Sequence, residues 1–376
     1  MAKKDGGGRE LAGHLRLTIR GIRSLITDMI ENQMTWPVFQ RGTSGIGKSD
    51  GMRQIAQALD GELIDERVIH YEPPDFKGYL HYDMNAKAAA FAPSHLEMSI
   101  KKAFERAQER RAKAKSTKPP VVIVHMDEWN LGKPSTQNAG YELFLDRKIN
   151  GWHLPDSVFL AASGNRTEDR AYTYTMPVPL VNRFVFVDVG FDVMEWTEDF
   201  AVPRKLHPFA IAFVHFRKEV FHRLPEADQE AQFPTPRGWE RVSNLLNMMD
   251  VRDPRLVKYA TGLVGEGSAL EFAKYCEIKD DVERMIAAVR NEDYKSIPNE
   301  PSRLYALNQF LVADFRDNPK ASVDRLLKYA LHLPDVLADI AAALCKSMIN
   351  VSKPAVANSK QFPAFAEKWG KYYLAE

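Results

Sequence analysis

The run Gly42-Thr43-Ser44-Gly45-Ile46-Gly47-Lys48-Ser49 leaves this chain few folds to choose from. It follows Trp36-Pro37-Val38-Phe39-Gln40-Arg41, whose aromatic and β-branched residues read as a short strand, and it precedes a helix-like segment that begins near Lys48. Strand, Gly-rich loop and helix in that order are the setting of a phosphate-binding loop, and the run matches the pattern G-x-x-x-x-G-K-[ST] throughout. The chemistry belongs to the backbone. Glycines let the loop curl so that successive N–H groups face an anion, and the helix N-terminus adds its dipole. In such a loop the residues from Gly42 through Thr43, Ser44, Gly45, Ile46 and Gly47 form the cradle, Lys48 bridges the β and γ phosphates, and Ser49 ligates magnesium.

The rest of the chain supplies strands to hold that loop. Val121-Val122-Ile123-Val124 and Val158-Phe159-Leu160-Ala161-Ala162 are continuous apolar runs of the kind a strand buried on both faces requires, and Phe184-Val185-Phe186-Val187 closes the series. A helix over about Leu96 to Lys113 and the polar segment after Lys48 alternate with them, which predicts an α/β fold, a parallel sheet sandwiched by helices, over roughly 34–195. Before it, Leu11, Leu15, Ile19, Ile22, Leu25, Ile26, Met29 and Ile30 recur at helical spacing, so 1–33 is expected to be an N-terminal helix. Beyond Gly190 helical patterns dominate, opened by Thr235-Pro236 and Asp253-Pro254. They divide into a helical unit over 196–292 and, after a Pro-containing connection, a helical C-terminal extension over 293–376.

Five further residues carry chemistry. The strand Val121 to Val124 runs through His125 and Met126 into Asp127-Glu128 at its carboxyl end, where open α/β sheets place ligands. There Asp127 would hold a magnesium shell and Glu128 would orient and activate an attacking water. Asn165 follows the next buried strand on the same edge and could position that water. Arg183 precedes the last strand, where it could reach a nucleotide held by an adjacent subunit, and Arg237 lies on the first turn of the helix opened by Thr235-Pro236. His125 reads as an imidazole hydrogen-bonded at the strand end, since no His or Cys sits at ligand spacing.

Composition narrows the partners. Of 376 residues 45% are hydrophobic and 27% charged, too apolar for disorder. Lys plus Arg total 51 against 50 for Asp plus Glu, so no global field draws in nucleic acid or anionic lipid. The run Lys101 to Lys118 is strongly basic, but alternating Ala and Phe104 give it an apolar side, and no stacking aromatics are interleaved; it reads as a solvated helix face. Cys276 and Cys345 sit in apolar helical patterns without ligand spacing. No apolar run reaches the roughly 18 residues needed to cross a bilayer, and Met-Ala-Lys-Lys-Asp-Gly-Gly-Gly lacks the apolar core of a signal peptide, so a cytoplasmic location is expected. The stretch Tyr71 to Ser94, with Tyr79, Tyr82 and Phe91, reads either as a loop presented to a substrate or as a packed surface hairpin.

Taken in order, GTSGIGKS, VVIVHMDE, FLAASGN, LVNRF and PTPRGW resemble the AAA+ ATPases from about Trp36 to Arg290, and the DEWN continuation with DRKINGWHLPD is similar to the MoxR-like branch. The resemblance implies a P-loop αβα core followed by an α-helical lid. It makes Gly42 to Ser49 the Walker A loop, Asp127 and Glu128 the Walker B pair, Asn165 sensor one, Arg183 an arginine finger acting in trans, and Arg237 sensor two. Arg166 and Arg170 lie near the same edge and are alternatives for the trans role. Asp75 to Gly78 looks like the start of the insertion this branch places before its second helix. Members generally use ATP and Mg2+ in a hexameric ring, often with a von Willebrand factor A domain partner, to remodel or activate a protein. His125 and Met126 depart from the usual aliphatic pair, and the tail after about Pro301 matches no named pattern. The alternatives are a nucleic-acid-stimulated motor, such as a helicase loader or restriction-type NTPase, and an ATP-gated scaffold without significant turnover.

Overall fold

A computed structural model describes residues 15–85, 87–166, 173–224 and 232–373. The chain divides into two compact units, Met1–Phe191 and Asp192–Glu376.

The first unit is built on a six-stranded sheet of β1 (Leu15–Leu17), β2 (Val38–Arg41), β3 (Glu62–Arg67), β6 (Val122–Asp127), β9 (Val158–Gly164) and β10 (Val185–Val189). Its order is β1-β10-β2-β9-β6-β3, and every neighbouring pair is parallel. Side chains along a strand alternate between two apolar layers, as a period of two requires. On one face Val122, Val124, Met126, Leu160 and Ala162 pack with Leu96 and Ile100 of α4 (His95–Lys113). On the other Ile123, Phe159, Ala161 and Val187 pack with Ile22 and Ile26 of α1 (Ile19–Glu31) and with Met52 and Ile55 of α2 (Lys48–Ala58). This is the αβα sandwich with a parallel central sheet that the sequence predicts. Burying each such aliphatic side chain contributes roughly 1.5–3 kcal/mol.

The N-terminal stretch differs from the expectation. The helix starts at Ile19, where the Thr18 hydroxyl accepts from the Gly21 N–H at 3.2 Å, and Leu15–Leu17 form strand β1 instead. Leu15 pairs with Val187 and Leu17 with Val189. The backbone of β10 thereby gains a partner along what would otherwise be an open edge. Leu11 lies outside the described residues.

Between β3 and α4 the chain forms α3 (Pro73–Lys77) and the antiparallel hairpin β4 (Tyr79–Asp83) and β5 (Ala88–Ala92). Tyr79, Leu80, Tyr82 and Phe91 are all exposed on it. Between β6 and β9 come α5 (Pro134–Ala139), α6 (Tyr141–Leu145) and the short pair β7 (Lys148–Ile149) and β8 (Trp152–His153); α7 (Val178–Val181) leads into β10.

The second unit is helical: α8 (Val193–Trp196), α9 (Pro208–Phe216), α10 (Pro236–Leu246), α11 (Arg255–Val264), α12 (Glu266–Cys276), α13 (Lys279–Arg290), α14 (Pro301–Asp317), α15 (Pro319–His332), α16 (Ala338–Ala357) and α17 (Phe362–Tyr373). Residues on both sides of position 292, among them Phe213, Trp239, Phe272, Leu304, Phe315, Leu326 and Trp369, share one apolar core. The indole N–H of Trp239, which is fully buried, donates to the Val220 carbonyl at 2.8 Å. Among the described residues no helix is long and apolar enough to cross a membrane.

Candidate nucleotide-binding site

The first unit gathers its polar groups at the carboxyl ends of β2, β9 and β6, which are neighbours in the sheet. Arg41 at the end of β2 pairs in register with Gly164 at the end of β9, and the Gly42 N–H continues the ladder by donating to the Gly164 carbonyl at 3.1 Å. From there the loop turns into α2. Gly47, with φ 103°, occupies a region that side chains with a Cβ avoid, and it opens α2 with no side-chain cap on the helix N-terminus. An uncapped N-terminus of an eleven-residue helix, reached through a positive-φ glycine, leaves the N–H groups and dipole that a phosphate needs. Lys48 is buried, and its ammonium donates to the Gly42 carbonyl at 2.6 Å and the Thr43 carbonyl at 2.9 Å, which fixes it against the loop.

Across β9, the loop meets the acidic end of β6. The Ser49 hydroxyl donates to Asp127 Oδ2 at 2.8 Å, the Ser163 hydroxyl donates to Asp127 Oδ1, and the Glu128 N–H donates to the same oxygen at 2.9 Å. Burial alone would raise the Asp127 carboxyl, but the neighbouring His125, the Ser163 and Ser49 hydroxyls and the charge of Lys48 outweigh it and hold the group below its ordinary value. The carboxylate is therefore kept ionised. A serine hydroxyl and an ionised carboxylate brought together are hard oxygen donors, which suits magnesium better than a metal that prefers thiolate or imidazole. Ser49 and Asp127 are thus the residues that could hold it.

Glu128 is itself unusual. Its φ of 56° and ψ of 33° place a non-glycine residue in the left-handed region at the turn leaving β6. Such backbone costs on the order of 1 kcal/mol and persists where the surroundings enforce it. The next residue, Trp129, is fully buried and makes an edge contact with Phe144 at 4.9 Å between ring centroids.

The remaining predicted residues fall out as follows. Asn165 sits half-buried just past β9, with Arg166 beside it. Arg183 is exposed in the turn between α7 and β10, and Arg237 is exposed on the first turn of α10 in the second unit. Arg170 lies outside the described residues. His125 is fully buried, its Nδ1 at 2.7 Å from Asp65 Oδ1 on β3, so its bond ties two strands together.

Three residues of this edge escape a reading of motifs alone. Ser163 is the second hydroxyl on Asp127; its only signal is a polar residue closing an apolar strand. Asn130 holds the backbone of Asn165 with its side-chain amide, through Nδ2 to the Asn165 carbonyl at 2.7 Å and Oδ1 from the Asn165 N–H at 3.2 Å. Arg41 pairs with Asp188 of β10 at 3.0 Å and lies over the Phe186 ring at 5.2 Å, anchoring the strand that launches the loop.

The fold and this edge together define a P-loop αβα unit followed by a helical part. No protein-family model matches the chain, and no curated protein matches it. Among solved structures, the chain is similar to the Holliday junction branch migration motor RuvB of Thermotoga maritima. The identity there is 13%, over 72% of this chain and 74% of that one, with a TM-score of 0.33. A candidate ATPase from Cytophaga hutchinsonii is likewise 13% identical, over 93% of this chain and 89% of that one, with a TM-score of 0.29. Likenesses at that level assign neither an activity nor a partner.

Proposed function

We propose that this chain is an ATP hydrolase of the AAA+ class, of the MoxR-like branch, which works in the cytoplasm as a ring-shaped homo-oligomer, a hexamer, to remodel or activate a protein partner. A von Willebrand factor A domain is the partner type we favour. The observation that carries the reading is the hydrogen bond from Ser49 to Asp127 across β9, which joins the phosphate loop to the acidic strand end. In this reading the N–H groups of Gly42 to Ser49 and the Lys48 ammonium bind and orient the triphosphate of ATP. Ser49 and Asp127 would hold Mg2+, which when bound offsets the charge of the phosphate oxygens. Glu128 takes the proton of the attacking water, Asn165 positions that water, and Arg183 of a neighbouring copy neutralises charge at the γ phosphate, with Arg166 or Arg170 the alternatives. Arg237, in a lid over 196–292, reports on the nucleotide, and 293–376 forms an extension of that lid. Positioning and charge neutralisation supply most of the rate.

Glu128→Gln separates the steps. It is expected to leave ATP binding intact and to lower turnover by about a hundredfold or more; turnover equal to the parent's would remove Glu128 from the role of base. Arg183→Ala is expected to keep binding and lose activity, and mixing it with Lys48→Ala protein should restore part of it. Mixed rings without any rescue would exclude an arginine supplied by a neighbour. Stimulation by DNA or RNA with a steep salt dependence would replace the protein-directed motor by a nucleic-acid motor, and background turnover in the parent would favour an ATP-gated scaffold.

A further inference from the structure

Asn130 has no part in the proposed chemistry, yet the structure engages it with unusual completeness. It lies two residues after Glu128 in the turn Trp129–Leu131, and its residue exposure is 9%. Its side chain forms a two-point bond with the backbone of Asn165, donating from Nδ2 at 2.7 Å and accepting at Oδ1 at 3.2 Å. Its own carbonyl accepts from the Tyr174 N–H at 2.7 Å. The fit is close enough that a Cβ on the neighbouring Gly164 would stand 2.2 Å from Asn130 Oδ1, so residue 164 has to be glycine for the contact to form. The turn that carries Asn130 is fixed in turn by Trp129, buried against Phe144 and Phe76.

From this arrangement we infer that Asn130 is a positioning residue that sets Asn165 relative to Glu128. The inference rests on the reading of Glu128 and Asn165 as the pair that activates and places the attacking water. The physical reason is the shape of the link. An amide that donates and accepts on one peptide group fixes its orientation as well as its distance, as a strand neighbour would, and it does so across two loops that leave different strands. Without it, the remaining side-chain link described between these strand ends runs through Asp127, which accepts from Ser163 and from the Glu128 N–H and does not touch Asn165 in the bonds given above. A misplacement of about an ångström is enough to cost a reaction that depends on position.

The test is a pair of substitutions measured in the full-length protein. Asn130→Asp keeps an acceptor for the Asn165 N–H but sets an oxygen against the Asn165 carbonyl; Asn130→Ala removes both bonds without that repulsion, and stands in should the aspartate variant not fold. With two neutral hydrogen bonds at stake, kcat should fall about tenfold or more in either variant. Binding of a fluorescent ATP analogue should stay within about twofold of the parent, since the loop and Lys48 are untouched. The amide of residue 165 should lose hydrogen-exchange protection. The coupling is decisive: in an Asn165→Ala background the same Asn130 substitution should change kcat by less than about twofold, because its route of action has already been removed. A kcat unchanged in Asn130→Ala, or losses that multiply in the double variant, would overturn the positioning role while leaving the ATPase reading in place. A parent protein that binds but does not hydrolyse ATP would overturn both.

Discussion

The two units bury polar groups by different rules. Among the described residues the helical unit buries Thr197, His215, Ser243, Asn308, Gln309, Ser322, Ser347 and Ser359, all uncharged types or histidine, and no Asp, Glu, Lys or Arg. Where it buries an imidazole it keeps it neutral: His215, hydrogen-bonded to the Thr197 hydroxyl at 2.7 Å, is pushed down to about 4 by burial and by the charge of Lys218. The sheet unit instead buries Lys48 and Glu97 and half-buries the ionised Asp127: Lys48 and Asp127 lie at the carboxyl ends of the strands, whereas Glu97 on α4 accepts from Lys101 at 2.6 Å and from Asn150 at 3.2 Å. Desolvating charge is costly, so a protein concentrates it where the charges act. Among the described residues the buried charges thus belong to the sheet unit, a difference that the following substitutions can break or sharpen.

The largest expected effect is confined to the sheet unit. Lys48→Ala removes the one buried ammonium from the loop and should weaken ATP binding by about a thousandfold, roughly 4 kcal/mol, as read by equilibrium binding of a fluorescent analogue. Binding that survives the substitution would remove the reason for burying the charge. The mirror experiment is Trp239→Ala in the helical unit. It empties the space of a fully buried indole and orphans the Val220 carbonyl, with an expected loss of about 3–5 kcal/mol in chemical denaturation and no change in nucleotide affinity once folded.

A smaller effect should follow pH. The folded value of His215, about 4, lies below its ordinary 6.5, so the unfolded chain takes up the proton more readily. Its contribution is present in full above pH 6.5, is lost as pH falls toward 4, and amounts to roughly 3 kcal/mol over the whole interval. His207, lowered to about 4 by burial and by Lys279, acts in the same direction. Denaturation midpoints of the parent should therefore fall between pH 7 and pH 5, and His215→Gln should flatten that slope, leaving the share of His207. A slope unaffected by the substitution would show that the interior of the helical unit admits charge after all.

How much of this was legible in the sequence follows from the range of each signal. Gly42 to Ser49 and the run into Asp127-Glu128 are contiguous, and their chemistry dictates residue types at fixed spacing, so they stand out in one dimension. Strands β6 and β9 were legible because both faces are covered and the apolar run is unbroken. Strand β1 was not: three residues with two exposed leave no periodic trace, and only the edge of β10, about 170 residues later, makes them a strand. Ser163 and Asn130 were hidden for a related reason. A serine ending a strand and an asparagine in a turn are commonplace locally, and their importance arises from Asp127 and Asn165, which the parallel register brings beside them. Motif spacing thus records the residues of the loop and the acidic strand end, whereas the groups that hydrogen-bond to them are visible only in three dimensions.

The smallest expected effect concerns the basic face of α4, the part of the sheet unit that most resembles a surface for nucleic acid. Its arginines already have acidic neighbours. Arg106 donates to Glu62 Oε2 from Nε at 3.0 Å and from Nη2 at 2.8 Å, Arg110 pairs with Glu62 and Asp60, and Arg111 pairs with Asp60 while donating to the Leu59 carbonyl at 2.6 Å. These carboxylates from β3 and the turn before it offset part of the charge of the stripe and weaken the field that would attract a phosphate backbone. The Arg106 pair lies in high dielectric, with its arginine side chain 58% exposed, so Arg106→Ala should change stability by no more than about 1 kcal/mol, and by less at 0.5 M salt. It should leave ATP turnover untouched with or without added DNA. A turnover that DNA raises in the parent and that falls with Arg106→Ala would mean that the charge of this unit serves two surfaces, and the division drawn between a chemical edge and a merely solvated face would no longer hold.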